Sequence, residues 1–245
     1  MSRLLLLSNS TMPGTAFFTW PQAHVKKFLG SLPGPVAFIP FAGVTLTFDA
    51  YSESVSQVFG AMGYSIQSIH AADDKKRLLQ EASAIVVGGG NTFTLLAKMY
   101  AYDLLNVVRE RVDAGIPYIG WSAGANLACP TLKTTNDMPI VMPPSFEALN
   151  LVPFQINPHY HELRFEGQGG ETRPERLREF LVVNPELLVL GLPEGMFVQR
   201  QGTQLQVGGT GVAKLYEAGN PPMELTAGTD ISHLISSQST DLGAP

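Results

Sequence analysis

"YIGWSAGAN" (residues 118–126) decides the fold. A β-prone apolar run, "IPYIGW" (116–121), stops at Ser122 between small residues, and a helix-like segment follows directly. Gly120-Trp121-Ser122-Ala123-Gly124 fits G-x-S-x-G, the nucleophile elbow, in which a sharp strand-to-helix turn lifts a serine hydroxyl above the sheet. The requirement is steric, because small neighbours let the two backbones approach closely. The helix behind the turn aims its first N–H groups at the serine, where they can stabilise an oxyanion. The plain alternative is an ordinary tight turn; the pattern is short, and its weight comes from the strand before it and the helix after it.

On either side of the elbow, apolar runs alternate with longer segments of helical character. "RLLLLS" (3–8), "PVAFIP" (35–40), "YSIQSI" (64–69), "SAIVVG" (83–88) and "ELLVLGL" (186–192) have the continuous apolar character of strands buried on both faces. "DAYSESVSQVFGAM" (49–62), "DDKKRLLQEA" (73–82), "TFTLLAKMYAYDLLNVVRERVDAG" (92–115) and "RPERLREFLVV" (173–183) predict helices. The alternation predicts an α/β fold with a doubly wound, mostly parallel sheet covered on both faces. "MFVQR" (196–200), "LQVGG" (205–209) and "VAKLY" (212–216), with Gly-rich turns, predict short antiparallel strands at the sheet edge near the C-terminus. No repeat or linker divides the chain, so a single domain over 1–235 is expected, with a flexible tail over 236–245.

A chain of 245 residues has room for one large α/β domain. With 44% hydrophobic and 15% charged residues it is not a disordered protein, and a net charge of −5 gives no footprint for nucleic acid. The leucines of "MSRLLLLSNS" are too few for a signal-peptide core, and no run approaches the ~20 apolar residues of a membrane span. The single cysteine, Cys129, cannot form an internal disulfide. A cytoplasmic protein without membrane or nucleic-acid partners is expected, as monomer or homodimer.

In an open α/β sheet, ligands bind beyond the carboxyl ends of the strands. That rule selects Ser8-Asn9-Ser10, Phe41-Ala42-Gly43, Gly88 to Asn91, Ser122 and Pro193-Glu194-Gly195. A serine nucleophile needs a base. His24, His70 and His233 have nothing distinctive nearby, whereas His159 and His161 lie in "QINPHYHELRF" (155–165), behind an Asn-Pro turn. The same stretch could be a surface loop, or a metal site using both imidazoles, although zinc needs a further ligand and no other cluster has ligand spacing. An orienting carboxylate could be Glu194 in "LGLPEGM" (190–196) or Asp137 in "KTTNDMP" (133–139). Position favours Glu194, since strand ends are held more firmly than loops, yet either could be a turn acid.

"IVVGGGNTF" (85–93) has neither phosphate-loop nor dinucleotide spacing. Gly90, beside a helix N-terminus, could give one oxyanion donor and Ala123 the other; a plain turn is the alternative. In "GGETRPERLREF" (169–180), Thr172 and Glu175 read as a capping box that places Arg173 in the first helical turn. A cation there opposes the helix dipole by ~0.3–1 kcal/mol. Its planar fork suits a carboxylate ligand. Cys129 is expected two turns beyond Ser122 on the same helix, as a buried hydrophobe.

"LLLLSNSTMPG" (4–14), "FIPFAGVT" (38–45), "VVGGGNTF" (86–93), "YIGWSAGANLACPTLKTTNDMPIV" (118–141), "PFQINPH" (153–159), "GETR" (170–173) and "GLPEG" (191–195) together resemble the S51 serine peptidase family of α-aspartyl dipeptidases. The resemblance runs to about residue 215 and implies a fold like class I glutamine amidotransferases (flavodoxin-like), with serine at the place of their cysteine. It implies hydrolysis of Asp-X dipeptides through an aspartyl-enzyme ester, with neither metal nor organic cofactor. By motif it makes Ser122 the nucleophile, His159 the base, Glu194 or Asp137 the third member, and Gly90 and Ala123 the oxyanion donors. Arg173 then matches the partner of the substrate's aspartate side chain. "HYHELRFEGQGG" (159–170) departs from the family pattern at the presumed entrance, which bears on fine preference. The rival readings are a cyanophycinase-like hydrolase with the same triad and a non-catalytic small-anion-binding protein.

Overall fold

The computed structural model describes residues 1–164, 166–167 and 169–236, so residues 237–245 of the expected tail lie outside the described residues. Five parallel strands form the centre: β1 (Arg3–Leu7), β2 (Val36–Ile39), β3 (Ile66–Ser68), β4 (Ala84–Val87) and β5 (Tyr118–Trp121). Successive side chains of a strand point to opposite faces. In β1, Leu4 and Leu6 enter one core cluster while Leu5 and Leu7 enter another, and all four are fully buried. Helices on both faces thus explain why the run is apolar without alternation. β8 (Met196–Gln201) and β9 (Gln204–Gly209) add antiparallel to β1, giving the order β3-β2-β4-β5-β1-β8-β9.

The expected strand in "ELLVLGL" is present as β7 (Val189–Leu192), but it belongs to a second sheet. There it pairs parallel with β6 (Gln155–Pro158) and antiparallel with β10 (Val212–Tyr216), which pairs with β11 (Met223–Thr226). Val189 of β7 packs with Tyr160, Leu177, Leu181 and Tyr216 in a separate small core, while Leu190 and Leu192 on the other face join the main core.

The helices are α1 (Gln22–Leu29), α2 (Phe48–Ala61), α3 (Lys75–Glu81), α4 (Thr92–Ala101), α5 (Leu105–Asp113), α6 (Ala123–Leu127), α7 (Arg173–Val183) and α8 (His233–Ser236). The single helix expected over 92–115 is two, because Asp103 takes a left-handed φ of 50° between them. Asp tolerates that conformation better than most residues. α6 ends at Leu127, so Cys129 lies beyond it rather than two turns along it. The thiol is fully buried, burial pushes its pKa up to about 12, and the sulfur accepts the Ile156 N–H of β6 at 3.2 Å. No helix among the described residues is long and apolar enough to cross a membrane.

Candidate active site

Ser122 sits at the junction of β5 and α6 with φ 52° and ψ −112°, a conformation that L residues rarely adopt. The glycines around it make the junction possible. A Cβ on Gly120 would lie 2.3 Å from the Gly124 carbonyl oxygen, well inside contact distance. Gly120→Ala is therefore expected to destabilise the fold by about 1–3 kcal/mol through overpacking. The change should appear as a lower denaturant midpoint with an unchanged slope. An unshifted midpoint would mean that the elbow relaxes freely.

His159 follows β6 and Glu194 follows β7, and the parallel pairing of those strands delivers both to the elbow. The Ser122 Oγ stands 2.9 Å from His159 Nε2, and His159 Nδ1 stands 2.7 Å from Glu194 Oε1. A carboxylate can only accept, so Nδ1 carries the proton and the Nε2 lone pair faces the serine hydroxyl. The His159 and Glu194 side chains are 38% and 39% exposed, which leaves the reacting edge open to a ligand. Both imidazole nitrogens are engaged, so the expected alternative of a metal on His159 and His161 lacks a free lone pair at His159. Among the described residues no group of three or more His, Cys, Asp or Glu could hold a metal ion.

The Gly88–Asn91 loop runs beside the nucleophile. A Cβ on Gly89 would lie 3.1 Å from Ser122 Cβ, and Asn91 N–H donates to the Ala42 carbonyl at 2.8 Å. Gly90 has φ 135°, and a side chain there would meet that same carbonyl at 2.2 Å. Neither the Gly90 nor the Ala123 N–H has a hydrogen-bond partner among the described residues. Tyr51, which sequence reasoning passed over, fixes this wall. Its hydroxyl donates to the Gly89 carbonyl at 3.1 Å and accepts the Trp121 indole N–H at 3.0 Å.

Asp137 does not reach His159, which corrects the alternative that it orients the imidazole. Its Oδ2 instead accepts the Thr92 N–H at 2.7 Å, the Thr92 hydroxyl at 2.5 Å and the Thr135 hydroxyl at 3.1 Å. It sits at the N-terminus of α4, where a carboxylate complements the helix dipole. Oδ1 has no hydrogen bond among the described residues.

Arg173 opens α7 as expected, with Glu175 reaching back to the Thr172 N–H at 2.6 Å. The guanidinium is half-buried and makes no hydrogen bond or ion pair among the described residues. Burial first, then the charge of Arg176, pulls its pKa down, while the nearby Asp137 carboxylate pulls it up. His161 feels the same cation. Burial lowers the pKa of its imidazole, and the Arg173 charge adds to that. The structure thus brings Ser122, His159 and Glu194 into one chain of hydrogen bonds. Arg173 is linked by charge to Asp137 and to His161.

Comparison with known proteins gives a consistent result. Residues 4–208 match the family model described as peptidase family S51. Peptidase E of Nostoc sp. is 48% identical over 222 residues, covering 91% of this chain and 92% of the relative. Peptidase E of Salmonella typhimurium is 48% identical over 227 residues, covering 92% and 98%. The crystal structure of a peptidase from an acI-B1 Actinobacterium covers 94% of this chain and 96% of its own at a TM-score of 0.68. At 17% identity that likeness concerns the fold alone.

Proposed function

The chain belongs to peptidase family S51, and on that premise we propose that it hydrolyses dipeptides with an N-terminal aspartate, using Ser122 as nucleophile, His159 as base and Glu194 as the orienting carboxylate. The observation that carries the reading is the continuous chain from Ser122 Oγ through both nitrogens of His159 to Glu194. Ser122 Oγ attacks the peptide carbonyl carbon as its proton passes to His159 Nε2. The oxyanion accepts the unengaged N–H groups of Gly90 and Ala123. His159 returns the proton to the leaving amine, the C–N bond breaks, and an aspartyl ester remains on Ser122. Water, deprotonated by the same nitrogen, then hydrolyses that ester.

Substrate choice rests on Arg173 and Asp137. An N-terminal aspartate carries its ammonium and its side-chain carboxylate only three bonds apart, so its receptors must be neighbours that do not neutralise each other. Arg173 and Asp137 meet that condition: they sense each other's charge without forming an ion pair. Arg173 takes the substrate carboxylate as a fork. Asp137, through its unengaged Oδ1, takes the ammonium.

Release of p-nitroaniline from Asp-p-nitroanilide and from its N-acetyl derivative tests the reading. The free compound should turn over and the acetylated one should not. Asp137→Asn keeps an acceptor for Thr92 but removes the charge, and should lower kcat/KM for the free compound about 10–100-fold. Efficient cleavage of the acetylated compound would instead favour an endo-acting, cyanophycinase-like hydrolase. Binding of aspartate without any turnover would favour the anion-binding reading.

A further inference from the structure

Three consecutive residues where β1 ends hold the three segments that carry the reacting groups. The Leu7 carbonyl accepts the Ser122 N–H at 3.0 Å. The Ser8 hydroxyl, fully buried, accepts the His159 N–H at 2.8 Å and donates to the Leu192 carbonyl at 2.7 Å, two residues before Glu194. The Asn9 side-chain oxygen accepts the N–H of Gly195, directly after Glu194, at 2.9 Å. The Ser8 N–H donates to the Met196 carbonyl at 3.0 Å.

These bonds cross between sheets. Ser122 rises from the main sheet, whereas His159 and Glu194 leave the ends of β6 and β7 in the second. Among the described residues no strand ladder joins the two sheets, so ordinary sheet pairing does not set the distance from Ser122 to His159. Asn126 of α6 and Cys129 just beyond it tie this segment to β6 at Ile156, three residues before His159. Among the described residues, the side-chain group that hydrogen-bonds the His159 backbone itself is the Ser8 hydroxyl. His159 adopts φ 53°, its N–H meets that hydroxyl, and the next N–H, of Tyr160, returns to the Leu192 carbonyl. A buried N–H must find an acceptor somewhere, and here a side chain provides it.

We propose that Ser8 and Asn9 are positioning residues for hydrolysis, registering the His159–Glu194 pair against Ser122 through the main chain. The inference rests on the reading of those three as the reacting groups. Neither residue touches the reacting atoms. Their effect should therefore fall on turnover and leave substrate binding, which depends on Arg173 and Asp137, nearly unchanged.

The test uses Ser8→Ala, Ser8→Thr, Asn9→Ala and Ser122→Ala in the full chain, with steady-state kinetics on Asp-p-nitroanilide and melting curves for each. Ser8→Ala is expected to lower kcat about 10–100-fold, the range for a displacement near 1 Å, with KM within about threefold. The rate at which a small fluorophosphonate labels Ser122 should fall by a similar factor, because that reaction needs the serine and its base but no aspartate recognition. Ser8→Thr, which keeps the hydroxyl, should recover most of the rate. Wild-type kcat in Ser8→Ala overturns the proposal, as does a loss confined to KM, or equal impairment of the Ala and Thr variants. If Ser8→Ala does not fold, Asn9→Ala decides: a kcat loss at constant KM supports the proposal, and wild-type kcat overturns it. Activity surviving in Ser122→Ala would mean that the reading of the site itself had failed. Loss of activity there with both β1-end variants unimpaired refutes the positioning alone.

Discussion

Ser122→Ala is expected to lower turnover of Asp-p-nitroanilide by about 10⁴–10⁶-fold, the largest effect of any single change in this chain. The strain at the elbow argues for a loss of that size. A serine held at φ 52° between two backbones in near-contact could be replaced by glycine at lower conformational cost if only a turn were needed. What glycine or alanine cannot supply is an oxygen 2.9 Å from an imidazole nitrogen. The stability of the variant should be close to that of the wild type, since among the described residues the hydroxyl makes no hydrogen bond other than the one to His159. His159→Ala should give a loss of similar size, and the double variant should be no slower than either single one, because the two act as a unit. Single-turnover release of p-nitroaniline checks the set. Additive losses would show two independent contributions instead of one relay, and an unimpaired Ser122→Ala would reduce the motif to a turn. Because Ser122 and His159 do the work in this mechanism, EDTA should leave the wild-type rate unchanged.

The features legible in the sequence are those fixed by local pattern. The leucines of β1 and the apolar runs of β2, β4 and β5 are continuous because both faces are covered, and that pattern survives in a single sequence. The elbow was legible for a related reason: two glycines four residues apart record a contact between backbones. The second sheet was not. β7 carries the same apolar character as the central strands, and only long-range pairing with β6 and β10 assigns it elsewhere. The break between α4 and α5 is likewise silent, since apolar periodicity runs on through Tyr102–Leu104 and the left-handed turn at Asp103 needs no glycine. α1, eight residues behind Pro21, is too short to show more than one repeat of its apolar face, Val25 with Phe28 and Leu29.

The same division holds at the site. Position after a strand pointed to Glu194, but the choice against Asp137 depends on where the irregular connection between α6 and β6, residues 128–154, returns, and sequence spacing carries no such information. In the folded chain Asp137 is committed to Thr92. Ser8 and Asn9 could be singled out only as residues beyond a strand. Their bonds reach residues more than 150 positions away, and no local pattern marks them.

Arg173→Ala is expected to reduce kcat/KM for Asp-p-nitroanilide about 10²–10⁴-fold while changing a neutral analogue such as Ala-p-nitroanilide by less than about threefold. The reason lies in what the residue does for the fold, which is nothing favourable. A cation in the first turn of α7 opposes the helix dipole, so its removal should leave stability unchanged or raise it by a few tenths of a kcal/mol. Glu175 caps that turn without help from Arg173. The guanidinium is half-buried and has no hydrogen-bond partner among the described residues, so its donors are open to a ligand. A carboxylate arriving there exchanges water for a fork of charge-assisted hydrogen bonds, and a neutral side chain arriving there leaves the donors unpaired. Arg173→Lys separates charge from geometry: it keeps the cation but not the fork, and should fall between the wild type and the Ala variant. If the neutral and aspartyl substrates lost activity equally, Arg173 would be acting on the shape of the site, and the discrimination would have to come from Asp137 and His161. A melting temperature that rose while aspartyl selectivity collapsed would identify a residue kept for its ligand at the expense of its helix.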